Sequence, residues 1–131
     1  MQHSESLRQP ATVLVTEDDA AIRFTLETVL SGEGYRVMTA VDGLDALDVA
    51  RRDPPSVILL DVAMPRLDAR GFCREYRERG GAAPIILVTA AQGSLLREAI
   101  DSCAPAAYVT KPFSIDAVLD AVARYVGGPL A

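Results

Sequence analysis

Five short apolar runs recur along the chain, and segments of helical periodicity separate them. The runs are Thr12–Val15, Tyr35–Ala40, Val57–Leu60, Pro84–Val88 and Ala107–Val109. After the first, Ile22, Leu26, Val29 and Leu30 fall at helical spacing until Gly32 and Gly34 stop the pattern. Asp42-Gly43 makes a turn, and Leu44, Leu47 and Val49 form a second helix that ends ahead of Pro54-Pro55. Gly71 to Arg79 reads as a third helix before Gly80-Gly81, and Leu95, Leu96, Ala99 and Ile100 as a fourth. Ser114 caps the last helix, whose Ile115, Val118, Leu119 and Val122 repeat at i, i+3, i+4 and i+7 until Gly127-Gly128-Pro129. Strands that alternate with helices pair in parallel through right-handed crossovers. The expected fold is α/β, a doubly wound sandwich of five strand–helix units with helices on both faces of a parallel sheet. Val57–Leu60, apolar throughout, is the mark of a strand buried on both sides.

At 131 residues the chain is one domain, long enough to bury a core without a disulfide or metal staple. The domain is expected over residues 11–127, with a disordered polar tail at 1–10 and a short tail at 128–131. Thirteen basic against eighteen acidic residues leave a net charge of −5, which argues against direct nucleic acid binding. No apolar run approaches the roughly 20 residues that cross a bilayer, so no membrane insertion is expected. Met1 to Pro10 lacks the apolar segment of a signal peptide, which makes the chain cytoplasmic by expectation. The single histidine, His3, lies in that tail, and this excludes histidine-based triads and histidine-rich metal sites from the folded body. Cys73 and Cys103 lack C-x-x-C spacing and read as small buried hydrophobes in a reducing compartment.

In a doubly wound sheet the functional crevice lies at the carboxyl ends of the strands. Glu17, Asp18 and Asp19 follow the first strand, Asp61 the third, Thr89 and Ala90 the fourth, and Thr110, Lys111 and Pro112 the fifth. Clustered carboxylates repel one another unless a cation neutralises them, and hard oxygen ligands suit Mg²⁺. Asp19 alone reads better as a helix N-cap. Lys111 is the one lysine in a chain whose other basic residues are all arginine. An acidic first loop is the opposite of the glycine-rich phosphate cradle of dinucleotide binders, and no P-loop motif occurs. Asp61-Val62-Ala63 also lacks the second aspartate that an Asp-x-Asp phosphatase of this architecture uses as general acid.

Leu14-Val15-Thr16-Glu17-Asp18-Asp19, Leu60-Asp61-Val62-Ala63-Met64-Pro65, Val88-Thr89-Ala90 and Tyr108-Val109-Thr110-Lys111-Pro112-Phe113 resemble the signature segments of two-component response regulator receiver domains. Ala40-Val41-Asp42-Gly43 adds a shorter match, and the resemblance runs from Thr12 to Val126. It implies a CheY-like, flavodoxin-like strand order of 2-1-3-4-5 and a phosphorylation-dependent switch. By the same resemblance Asp61 is the phosphoryl acceptor. Asp18, Asp61 and the backbone carbonyl of Ala63 hold Mg²⁺ (or Mn²⁺ in its place), and Glu17 acts through water. Thr89, Ala90 and Lys111 receive the phosphate, Tyr108 reports it, and the Lys111–Pro112 peptide is cis. The implied donor is a sensor histidine kinase or a histidine phosphotransfer protein, and a downstream protein reads the surface of the fourth helix, fifth strand and fifth helix. The chain is then no enzyme but a phospho-acceptor that assists its own phosphorylation and dephosphorylation.

Several positions depart from the family pattern. Arg66 and Ala69 stand where the loop after Met64-Pro65 usually has glycine, and Cys103 replaces a glycine before the fifth strand. Ala63 and Ala91 flank the site with too little bulk to block water, which points to a short or moderate phosphate lifetime. Arg66, Arg70, Arg74 and Arg77 recur at helical spacing and read as a solvated face, with an acidic docking partner as the sharper alternative. The sequence ends four residues after Gly127, so a stand-alone receiver is expected, with a fragment of a larger regulator as the alternative. A pseudo-receiver that takes no phosphate is the other reading, and the intact set of Glu17, Asp18, Asp61, Thr89 and Lys111 argues against it.

Overall fold

The computed structural model describes residues 10–126. The expected tails at 1–10, apart from Pro10, and at 128–131 lie outside the described residues, as does His3. Strands β1 (Thr12–Thr16), β2 (Arg36–Ala40), β3 (Val57–Leu60), β4 (Ile85–Thr89) and β5 (Ala107–Thr110) form one parallel sheet in the order β2-β1-β3-β4-β5. Helices α1 (Ala20–Gly32), α2 (Gly43–Arg52), α3 (Ala69–Glu78), α4 (Gly93–Cys103) and α5 (Ile115–Tyr125) alternate with them.

Strand periodicity divides the core in two. Val13, Val15, Val57, Leu59, Ile86 and Val88 face α1 and α5, where they meet Leu26, Leu30, Val118 and Val122. Leu14, Ile58, Leu60, Ile85 and Leu87 point the other way, onto Leu47, Phe72 and Ala99 of α2, α3 and α4. Strands β1, β3 and β4 are buried along their whole length, whereas the edge strands β2 and β5 are only partly covered. Continuous apolar runs in the centre are the consequence of helices on both faces.

The element bounds differ from the sequence expectation by a residue or two, each for a local reason. Tyr35 stays outside β2 because its N–H closes the end of α1 on Leu30 O at 3.2 Å. Helix α3 begins at Ala69, since the Asp68 side chain accepts from Gly71 N at 3.0 Å and caps the first turn. Ser114 caps α5 as expected, accepting from Ala117 N at 3.0 Å.

Cys73 and Cys103 are both buried, but they are not the independent thiols expected. They form a disulfide with a Cα–Cα distance of 5.2 Å. Helices α3 and α4 lie side by side on one face of the sheet, so residues 30 apart in sequence meet in its core. The arginine row is exposed along its length, as expected of a solvated face, and three of its members also pair within the chain. Arg66 binds Asp42, Arg70 reaches Glu98 and Ser102, and Arg77 donates to the carbonyls of Gly81 and Ala83. Among the described residues no helix is long and apolar enough to cross a membrane.

Candidate functional site

The chain runs β1 to β2 on one side of the sheet and then crosses to β3 on the other, which opens a crevice between the ends of β1 and β3. Three polar residues follow their strands immediately, and each keeps its backbone N–H in the sheet ladder. Glu17 N donates to Ala40 O at 3.1 Å, Asp61 N to Thr16 O at 3.2 Å and Lys111 N to Thr89 O at 2.8 Å. Parallel pairing therefore extends one residue past each strand and sets the side chains of Glu17, Asp61 and Lys111 at one edge. Lys111 Nζ donates to Glu17 Oε1 at 2.7 Å and to Asp61 Oδ2 at 3.0 Å. The Lys111–Pro112 peptide is cis.

Glu17, Asp18 and Asp61 bring carboxylate oxygens within 4.8 Å of one another. Glu17 and Asp61 are buried and Asp18 is exposed, so the cluster opens to solvent on one side. Three carboxylates against one ammonium leave two negative charges in excess, which one divalent cation would balance. The all-oxygen donor set fits a hard ion. Burial pushes the Glu17 carboxyl above its ordinary range, against the hydrogen bonds from Lys111 and Asp19 N that pull it down. Burial alone would lower the Lys111 ammonium, but its hydrogen bonds to Glu17 and Asp61 win and hold it above the usual lysine range. The ammonium stays charged because two acids face it.

Thr89 is 1% exposed, and its hydroxyl accepts from Ala91 N at 3.0 Å. Ala90 is exposed beside it, and Ala63 is exposed in the loop after β3. Tyr108, one strand over, is 50% exposed on edge strand β5. Asp19 does not join the cluster; it caps α1 by accepting from Ile22 N at 3.0 Å. Thr16 Oγ1 is buried without a hydrogen-bond partner next to Glu17.

Residues 13–123 match the family model described as the response regulator receiver domain. The chain belongs to the receiver domain family. This receiver is 40% identical over 110 residues to the response regulator MprA of Mycolicibacterium vanbaalenii, a match covering 84% of this chain and 48% of that protein. It thus spans about half the length of the curated relatives it matches. Vibrio cholerae chemotaxis protein CheY4 is 28% identical with a TM-score of 0.82, covering 89% of this chain and 99% of that one. The receiver domain of sensor histidine kinase PA1611 from Pseudomonas aeruginosa PAO1, solved with a magnesium ion coordinated in its active site cleft, is 31% identical. Its TM-score is 0.77, over 91% of this chain and 99% of that one.

Two features of this receiver's site escaped the sequence reading. Arg23 Nη1 donates to the carbonyls of Glu17 at 2.8 Å and Asp18 at 3.3 Å, so α1 braces the acidic loop from behind. Asp42, read as part of a turn and of the shorter match to the family pattern, caps α2 and also receives Arg66. An arginine one turn into the helix after an acidic loop was the only available signal for Arg23. Nothing in the order of residues joins Arg66 to a turn 24 positions away.

Proposed function

We propose that this receiver is the phosphorylation-dependent switch of a two-component system, with Asp61 as the acceptor. The observation that carries the proposal is the convergence of Lys111 on Asp61 and Glu17, with Asp18 completing the acidic cluster. A phosphohistidine donor, on a sensor kinase or a phosphotransfer protein, presents its phosphorus to an Asp61 oxygen. A P–O bond forms there as the P–N bond to the imidazole breaks, and the imidazole nitrogen keeps the electron pair. Asp18, Asp61 and the Ala63 carbonyl would hold Mg²⁺, or Mn²⁺ in its place, with Glu17 reaching it through water. That ion, once bound, supplies charge neutralisation for the incoming phosphoryl oxygens.

Lys111 supplies the protein's own share of that neutralisation. Its ammonium already sits against Asp61 and can follow the charge onto the acyl phosphate. The new group adds roughly −1.5 to −2 charge and three acceptor oxygens. Thr89 and the backbone at Ala90 are the nearest donors at the end of β4. Their rearrangement frees space toward which the half-exposed Tyr108 ring can turn, and this alters the surface of α4, β5 and α5 for a downstream protein. Ala63 and Ala91 leave water room to reach the phosphate, so its lifetime is short to moderate. The setting is the cytoplasm, and neither nucleic acid nor membrane is a direct partner.

Intact mass after incubation with Mg²⁺ and a small acyl phosphate tests the reading. Wild type is expected to gain one phosphoryl group, about 80 Da, and Asp61→Asn none. Equal labelling of both proteins, or none of either together with no binding of Mg²⁺, overturns it.

A further inference from the structure

The loop after β3, from Asp61 to Asp68, lies against the turn that opens α2. Arg66 holds a left-handed backbone at φ 68°, a conformation that side chains disfavour. Its guanidinium forms a fork on Asp42, with Nε to Oδ2 at 2.7 Å and Nη2 to Oδ1 at 3.1 Å. Asp42 is buried and is the N-cap of α2, its Oδ1 also accepting from Asp45 N at 2.8 Å. One residue on, a Cβ at Gly43 would run into the carbonyl of Leu67, so the loop rests directly on the first residue of the helix. Leu67 N to Pro65 O at 2.7 Å and Ala69 N to Val62 O at 3.2 Å close the loop on itself.

Most surface arginines are spectators, and an isolated exposed ion pair adds little. Arg66 differs in two respects. Its partner is a buried, doubly engaged carboxylate, and its backbone is held in a conformation that local preference opposes.

We propose that Arg66 is a positioning residue. Its fork to Asp42 pre-forms the Val62–Pro65 segment beside Asp61 and thereby sets the affinity of the acidic cluster for Mg²⁺. This rests on the cation-assisted chemistry proposed above. Segments ordered before binding pay less on binding, and residues that orient a metal site from outside it change affinity strongly. Simple charge predicts the opposite sign, since removing a cation near an acidic cluster strengthens its hold on Mg²⁺.

The test is Mg²⁺ titration of the whole chain, followed by backbone amide chemical shifts, for wild type, Arg66→Gly, Asp42→Asn and the double variant. Glycine accepts the left-handed backbone without strain, and asparagine retains the helix cap, so both variants keep the fold. Each single variant is expected to weaken Mg²⁺ binding on the order of tenfold, and the double variant no further. Binding by Arg66→Gly as tight as wild type, or tighter, overturns the inference while leaving the proposed function intact. Absence of Mg²⁺ binding by wild type overturns both.

Discussion

Lys111 Nζ stands 3.0 Å from Asp61 Oδ2 across 50 residues of sequence, and the contact exists because β3 and β5 end at the same edge of the sheet. The same ammonium holds Glu17, which is 2% exposed. Without it two buried carboxylates would face each other with no counter-charge.

Lys111→Met is therefore expected to destabilise the metal-free protein by about 1–3 kcal/mol at neutral pH, the cost of leaving buried polar groups unpaired. Added Mg²⁺ should restore part of that loss. Urea unfolding with and without Mg²⁺ checks it. A variant as stable as wild type in the absence of the ion would show that the acids are solvated rather than held.

Two glycines should respond to alanine with opposite signs. At Gly32 an added Cβ meets nothing within 4 Å, and the helical backbone is one alanine adopts. Gly32→Ala should stabilise by about 0.4–1 kcal/mol through the unfolded chain. Gly43→Ala forces the Leu67 carbonyl away and should cost about 1–3 kcal/mol. Thermal midpoints of the two variants decide this, and a shared sign refutes it.

The hydrogen bonds from Arg66 hold the Asp42 carboxyl below its ordinary range. A depressed folded value stabilises the protein above the unfolded value of about 3.9, and that contribution is lost as pH falls through the folded one. The stability gap between wild type and Asp42→Asn should stay level from neutrality to about pH 5 and close below about pH 4. Denaturant midpoints across that series measure it; a gap that widens in acid contradicts the assignment.

The buried bridge between Cys73 and Cys103 closes a 30-residue separation. The oxidised protein should exceed the reduced one by about 2–4 kcal/mol, mainly by restricting the unfolded chain. Denaturant unfolding with and without a thiol reductant, with intact mass to count free thiols, reads both forms. Equal stability of two forms confirmed as different by mass would remove the bridge from the stability of this fold.

Much of the architecture is legible in the sequence, because the signals are local. Val57–Leu60 reads as a buried strand from its unbroken apolar run, and Ser114 announces the helix it caps. The site was legible for a related reason. In a parallel sheet every strand ends at one edge, so Glu17, Asp61 and Lys111 are brought together once the strands are found, without knowing any side-chain torsion.

What local signals lack is the choice of neighbour. The pairing of Cys73 with Cys103 depends on α3 and α4 sharing a face, and the Arg66 fork depends on a loop from one crossover resting on the helix of another. Sequence alone determined the order of elements and the chemistry at the strand ends, since periodicity and chain direction are properties of consecutive residues. Tertiary structure decided which side chains brace that chemistry, since such contacts join segments that only the packed sheet makes adjacent.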